Sequence, residues 1–410
     1  MKKERESKLD VSVKGNIRDL LAFKNLISDR EKKISKAPDN PIDFDPINKL
    51  VQELHPKKQY LIIDEIKEES KSTKTFKLVP DPSSETKGLA YFRAGQYLSL
   101  RVLVDDVSIT RPYSLSSSPS DALDGFYLIT IRNEENGFLT DFIWKNWRVG
   151  TKIESSGPEG NLYYDQLRDS EYIVGIAGGT GINPFMSIAK EIATGSLNAH
   201  LTLLYGSSKE DDIIFYDDFK KLEEQHSDRI KVVVVLSCEE ITLDGCEKGF
   251  ITAEIIKKYV DIDKSSFFIC GPQELYNFID SELEKLNIIP KRIRKEVYGE
   301  VKEIIKYSEF PKNLAERSFK IKVKIGNVLK EIPALSTESV LVAMERANLA
   351  PPSKCRSGEC GFCRSALLSG RIYINPKTDL RRNADKLYNY FHPCSSYPIS
   401  DIEIDVPRKL

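Results

Sequence analysis

The chain has 410 residues, 40% hydrophobic and 30% charged, with a formal net charge of −1. This length exceeds what one hydrophobic core supports and predicts two to four domains, while the near-neutral charge argues against nucleic-acid binding or membrane adsorption as a main role. No apolar run approaches the ~20 residues of a spanning helix, and MKKERESKLD has no apolar h-region behind its charges, so a cytoplasmic protein without a secretory signal is expected.

Residues 1–56 (12 basic and 10 acidic) carry apolar positions at Ile17, Leu20, Leu21 and Phe23, then at Ile47, Leu50, Val51 and Leu54. This predicts a helical N-terminal extension of two short amphipathic helices joined by the turn-rich APDNPIDFDP. Residues 57–164 change to short β runs (LIIDEI, TFKLV, QYLSLRVLV, YSLSSS, FYLITIR, TKIESSGP) with one helical stretch at 141–147. A small antiparallel β-barrel fits that spacing.

Over 165–300 the apolar runs YIVGIAGG, HLTLLYG, IKVVVVLS and SFFICGP alternate with helix-like stretches at 184–193, 217–226, 252–259 and 274–286. Such alternation predicts an α/β doubly wound sheet with its ligand at the carboxyl ends of the strands. A charged connector, 301–317, follows. Residues 318–410 then begin with an expected hairpin, FKIKVKI and VLKEIPA, a helix at 339–347 and a Cys-rich loop. Residues 57–317 hold 34 basic and 43 acidic side chains, and 318–410 hold 15 and 9. This predicts that a basic module docks on the acidic middle of the chain, or meets an acidic partner; chance surface composition is the alternative.

Of the seven cysteines, Cys355, Cys360, Cys363 and Cys394 stand in a C-x4-C-x2-C pattern followed by one distant Cys. Four thiolates complete the tetrahedra of two sulfide-bridged irons, and Gly358 and Gly361 let the loop curl so that amides point at sulfur. Structural zinc and unligated buried thiols are the alternatives, although zinc sites favour pairs of CxxC knuckles. Upstream, Arg111, Pro112, Tyr113 and Ser114 end a strand with a cation, an aromatic face and a hydroxyl, the groups a flavin needs. Gly137, Phe138, Leu139 and Thr140 open a helix whose free amides suit a pyrophosphate. Gly178, Gly179, Thr180 and Gly181 form a glycine turn at a strand end, suited to a dinucleotide and equally common as a plain tight turn. Cys270, Gly271 and Pro272 end a later strand, where Cys270 on its own reads as a small buried hydrophobe.

Taken in order, RPYS, NGFLTDFI, SGPEG, GGTGINP, CGP and EVYG resemble the ferredoxin-NADP reductase superfamily, and 318–410 resembles a plant-type [2Fe-2S] ferredoxin domain of β-grasp, α+β type, down to its HPCSSYPISDIEIDVP ending. Arg381 and Arg382 depart from the acidic character usual in that ferredoxin segment. The domain order is similar to phthalate dioxygenase reductase and related oxygenase reductases. The resemblance implies that Arg111, Tyr113 and Ser114 contact the flavin, that Cys270 lies by the nicotinamide, and that Tyr298 covers the flavin. It also implies FAD in preference to FMN, and Cys355, Cys360, Cys363 and Cys394 as cluster ligands. Beyond the second parallel strand, YGSSKEDD leaves NADH and NADPH both open: Ser207, Ser208 and Lys209 suit a 2′-phosphate, while the acidic neighbours favour NADH. The expected activity is an NAD(P)H-dependent iron-sulfur flavoprotein reductase serving a protein electron acceptor, a terminal oxygenase component or another redox protein. A redox-sensing adaptor and a self-sufficient small-molecule reductase are the alternatives.

Overall fold

The computed structural model describes residues 17–38, 45–134, 137–238, 243–297, 299–301, 303–376 and 379–407. Residues up to Leu50 form one compact unit and Val51–Leu410 another. The first helix, α1 (Ile17–Ser35), is longer than expected, because the good helix formers of Arg30–Lys33 extend it beyond its apolar repeat. Helix α2 (Pro46–Leu54) starts where the Asp45 carboxylate accepts from the Ile47 and Asn48 amides at 3.0 and 3.1 Å. Its Ile47, Leu50, Val51 and Leu54 are exposed. No helix among the described residues is long and apolar enough to cross a membrane.

Among the described residues, six antiparallel strands make the expected barrel: β1 (Gln59–Ser70), β2 (Thr73–Pro80), β3 (Tyr97–Val104), β4 (Val107–Ser114), β5 (Tyr127–Arg132) and β6 (Lys152–Ser155). Their order is β4-β3-β6-β1-β2-β5, and a bridge from Leu115 to Ile129 brings the two edges together. Alternate residues face inward, as the period of two requires, so Leu61, Phe76, Leu98 and Ile129 share one core. Helix α3 (Pro119–Leu123) is closed by a capping box between Ser118 and Asp121. Helix α4 (Phe138–Asn146) starts three residues earlier than expected and buries Leu139 and Ile143 in the barrel core.

The second sheet is parallel throughout: β7 (Tyr172–Gly178), β8 (His200–Ser207), β9 (Ile230–Leu236), β10 (Glu247–Lys248), β11 (Ser265–Cys270) and β12 (Ile293–Glu296), in the order β10-β9-β8-β7-β11-β12. Helices α5 (Asn183–Ala193), α6 (Tyr216–Gln225), α7 (Ala253–Tyr259) and α8 (Gln273–Lys285) connect them. Burial on both faces explains the unbroken apolar runs: all six residues of β11 are buried. Strand order reverses between β7 and β11, which is where an open sheet of this kind binds its ligand.

In the last module, β13 (Ser318–Ile325) and β14 (Val328–Leu335) form the expected hairpin, followed by α9 (Val340–Arg346), β15 (Ser365–Ser369), β16 (Ile372–Tyr373), α10 (Asn383–Leu387), β17 (Tyr390–Phe391), β18 (Tyr397–Pro398) and β19 (Ile402–Val406). The main sheet runs β14-β13-β19-β15-β17, with β13 and β19 parallel and the other pairs antiparallel. That mixed sheet, with α9 packed on it, is the expected β-grasp arrangement. The connector is not a free linker: Ile304 and Phe310 are buried with Tyr373 and Tyr397 in a small core of their own. Apolar burial of this kind stabilises by about 1.5–3 kcal/mol for each large side chain.

Candidate functional site

A cleft of about 810 Å³ lies between the barrel and the carboxyl ends of β7 and β11. It gathers motifs that are far apart in the chain: Pro112, Tyr113 and Ser114 from β4, Gly178–Gly181 after β7, and Cys270–Pro272 after β11. Close approach explains the glycines. A Cβ on Gly181 would lie 2.1 Å from the Cys270 carbonyl oxygen, and one on Gly271 would lie 2.5 Å from Leu275 Cδ2. Gly179 takes φ +53°, the left-handed region. The Tyr205 hydroxyl donates to the Gly179 carbonyl at 3.2 Å and fixes the turn from β8.

The cleft suits a ligand rich in phosphate and aromatic surface. Arg132 Nε and Asn183 Oδ1 on its wall are buried without a hydrogen-bond partner, a costly state that a polar ligand relieves. Arg132 is otherwise held by the Asp212 carbonyl at 3.2 Å and Asn183 by the Thr130 carbonyl at 2.8 Å. Arg132 was not singled out in the sequence, because a strand-end Arg has no distinctive local pattern; Asn183 stands in the GGTGINP turn, where no role was assigned to it. Burial pushes the Tyr113 phenol up to about 12, with Arg111 pulling against it, so the hydroxyl stays protonated as a donor. Burial, then Glu296, pushes the Cys270 thiol well above its ordinary value, so Cys270 sits at the cleft as a neutral thiol.

Other expected residues lie elsewhere. Thr140 lines the cleft, but Phe138 is exposed and Leu139 belongs to the barrel core; Gly137 caps α4 without a side-chain bond. Arg111 is not part of the lining. Its guanidinium donates to the Thr110 carbonyl at 3.0 Å and stands 3.9 Å from Glu345 of α9. Tyr298 lies outside the described residues. Its neighbour Gly299 donates a backbone hydrogen bond to the Cys355 carbonyl at 3.4 Å.

Cys355, Cys360, Cys363 and Cys394 come together at the end of the last module. Cys363 and Cys394 Sγ are 3.4 Å apart, close to the roughly 3.8 Å that separates two thiolates on one tetrahedral metal with ~2.3 Å bonds. Amides point at sulfur as expected: Cys360 N to Cys355 Sγ and Phe362 N to Cys360 Sγ, each at 3.4 Å. Gly358 and Gly361 hold φ +85° and +66°, which lets the loop wrap. Hydrogen bonds from Cys360 and Cys394 lower the Cys355 thiol, while sharing and burial raise the Cys394 thiol. Among the described residues, no group of three or more His, Cys, Asp or Glu stands as a single-ion site. The sulfurs form a linked set instead, and four thiolates suit two thiophilic irons. Cys360 is exposed and the other three are buried.

Side chains that no motif marks join this loop to the rest. Lys354 pairs with Glu159 of the barrel, and Asn161 Nδ2 donates to Glu359 Oε1 at 3.5 Å. Arg356, 1% exposed, pairs with Glu300 and with Glu345 Oε1 at 2.5 Å. Burial strongly raises the Tyr97 phenol of β3, with Cys355 the next cause, so the barrel wall reaches the cysteine loop.

Comparison with known proteins agrees with this geometry. Residues 60–164 match the oxidoreductase FAD-binding domain family, 176–281 the oxidoreductase NAD-binding domain, and 323–398 the 2Fe-2S iron-sulfur cluster binding domain. The chain is 28% identical over 339 residues to the ferredoxin reductase component of 3-ketosteroid-9-alpha-monooxygenase from Mycobacterium tuberculosis, covering 78% of this chain and 86% of that protein. It is 23% identical over 327 residues to the reductase subunit of glycine betaine monooxygenase from Chromohalobacter salexigens, covering 77% and 88%. In fold it is similar to phthalate dioxygenase reductase, at TM-score 0.60 and 21% identity, over 86% of this chain and 98% of that one. The chain is therefore an iron-sulfur flavoprotein reductase with FAD-binding, NAD-binding and [2Fe-2S] domains, similar in fold and domain order to phthalate dioxygenase reductase.

Proposed function

We propose that the protein takes hydride from NAD(P)H and passes its two electrons, one at a time, to an external protein acceptor such as the terminal component of an oxygenase. The observation that carries this reading is the meeting of the β4, β7 and β11 ends in one cleft, with the cysteine loop hydrogen-bonded to the segment that leaves that cleft. When bound, a flavin accepts an electron pair and releases it singly, and a [2Fe-2S] cluster carries single electrons. The chain's own residues supply position. Tyr113 offers an aromatic face and a protonated hydroxyl, and Ser114 a second hydroxyl beside it. The glycines after β7 admit the nicotinamide nucleotide to the switch point, and buried Cys270 bounds its pocket without acting as a nucleophile. The α4 amides and Arg132 suit the FAD pyrophosphate. Cys355, Cys360, Cys363 and Cys394 hold the cluster, with Cys360 at its exposed edge as the side that faces an acceptor. We assign 57–164 to flavin, 165–300 to nucleotide and 318–410 to the cluster, with 1–56 as an extension. The acidic Glu210–Asp212 turn after β8 favours NADH over NADPH.

The relatives named above are reductase components of monooxygenase systems, which supports an oxygenase component as the acceptor. The test is Cys360→Ala. NADH-driven ferricyanide reduction, which needs only the flavin, should stay within about twofold of wild type, while cytochrome c reduction falls at least about tenfold. Equal loss of both activities would contradict the proposed route.

A further inference from the structure

Among the described residues, one of the largest fully buried side chains is a cation, Arg356, directly after the first cluster cysteine. A buried guanidinium is retained only if every face is met, and the residues that meet it come from different modules. Glu345 of α9 takes it in a two-pronged contact at 2.5 and 2.9 Å. Glu300, just beyond the nucleotide sheet, pairs with it from a second side. From the barrel, the Thr110 carbonyl of β4 accepts at 3.4 Å, one residue before the RPYS stretch. Arg111 shares that carbonyl and pairs with Glu345. Two cations and two carboxylates therefore form one node where the three modules meet.

We propose that this node is a latch: Arg356 is a positioning residue that seats the cluster module on strand β4 and thereby sets the path from the flavin to the cluster. The inference rests on the proposed electron route and adds what holds its two ends in register. Geometry favours a latch over a feature internal to the last module. Glu345 alone would neutralise Arg356 within that module, yet the guanidinium also reaches the Glu300 segment and the barrel. The backbone bond from Gly299 to Cys355 lies beside it, and Lys354–Glu159 closes the other flank. Removing Arg356 leaves Arg111, 3.9 Å from Glu345, as the node's one cation against two carboxylates, which weakens docking.

The experiment compares wild-type holoenzyme with R356M, R356K and E300Q, with iron and acid-labile sulfide measured in each. Anaerobic stopped-flow mixing with NADH follows flavin bleaching and cluster bleaching separately. In R356M the flavin should bleach at the wild-type rate while cluster bleaching slows about tenfold or more, because the docked population falls. R356K keeps the charge but not the fork and should fall between. E300Q should slow cluster bleaching in the same direction. Small-angle scattering should show a larger radius of gyration for R356M and E300Q, and hydrogen exchange should show faster exchange at Gly299 and in β4. These two readouts do not need turnover, so they decide the matter even if R356M loses iron. Unchanged scattering, exchange and cluster bleaching in E300Q and R356M would overturn the latch. A wild-type cluster that NADH never bleaches would instead overturn the electron route.

Discussion

At the scale of single residues, Gly181 shows how tightly the nucleotide end of the cleft is drawn. Its missing side chain points at the Cys270 carbonyl, backbone that has no rotamer with which to yield. Adding one methyl forces β7 and β11 apart at the switch point. We expect Gly181→Ala to destabilise by about 1–3 kcal/mol and to raise the KM for NADH more than it lowers kcat. Thermal melting and steady-state kinetics check both, and a variant with wild-type melting and KM would contradict the packing argument. Gly181 and Cys355, Cys360 and Cys363 were legible in the sequence because their chemistry is written in short spacings, to which Cys394 was joined as the one distant thiolate that completes the set. Arg356 was not: its burial depends on Thr110, Glu300 and Glu345, and no local period encodes a meeting of segments so far apart. Arg111 has a contact of the same kind that its motif does not encode: its guanidinium stands 3.9 Å from Glu345.

Single elements place these residues, and α9 is the short helix on which the node depends. It presents Glu345 in its last turn, and its first turn is held by Ser339, whose hydroxyl accepts from the Val342 amide at 3.2 Å. Ser339 is buried, so water would not replace that acceptor. Ser339→Ala should therefore cost about 1 kcal/mol, seen as a lower denaturation midpoint of the cluster module, with Ser339→Thr restoring most of it. An Ala variant as stable as wild type would show that packing of Val340, Leu341 and Met344 alone holds the helix. Strand and helix types were readable wherever burial imposes an apolar pattern, an unbroken run in β11 and a largely apolar stretch in α5. Missed features had non-apolar signals. Good helix formers lengthen α1, and the Ser118-x-x-Asp121 box that starts α3 was present in the sequence but lacks an apolar repeat behind it.

Across Val51–Leu410, the cluster module meets the other two through charge more than through a shared apolar core: its main hydrophobic cluster is its own, whereas Ala94 and Leu162 of the barrel segment pack into the core of the nucleotide sheet. Residues 57–317 are net acidic and 318–410 net basic; Lys354–Glu159 and Arg356–Glu300 join them in that sense, while Arg111–Glu345 joins them in the opposite one. Burial decides how these respond to salt. Exposed charges are screened over a Debye length of about 10 Å at 0.1 M and about 3 Å at 1 M, but buried pairs are screened much less. Arg356 is sealed from solvent and Lys354 and Glu159 are each about 22% exposed at the side chain. Raising sodium chloride from about 0.05 to 0.5 M should therefore leave the internal step, cluster bleaching after flavin reduction, within about twofold. Delivery to a separate charged protein should change severalfold over the same range, because that encounter is steered by exposed charge. Stopped-flow bleaching and cytochrome c reduction, measured on one preparation across the salt series, separate the two. An internal step that slows with salt as steeply as delivery does would mean that water reaches the node, and that the modules part and re-dock in every turnover.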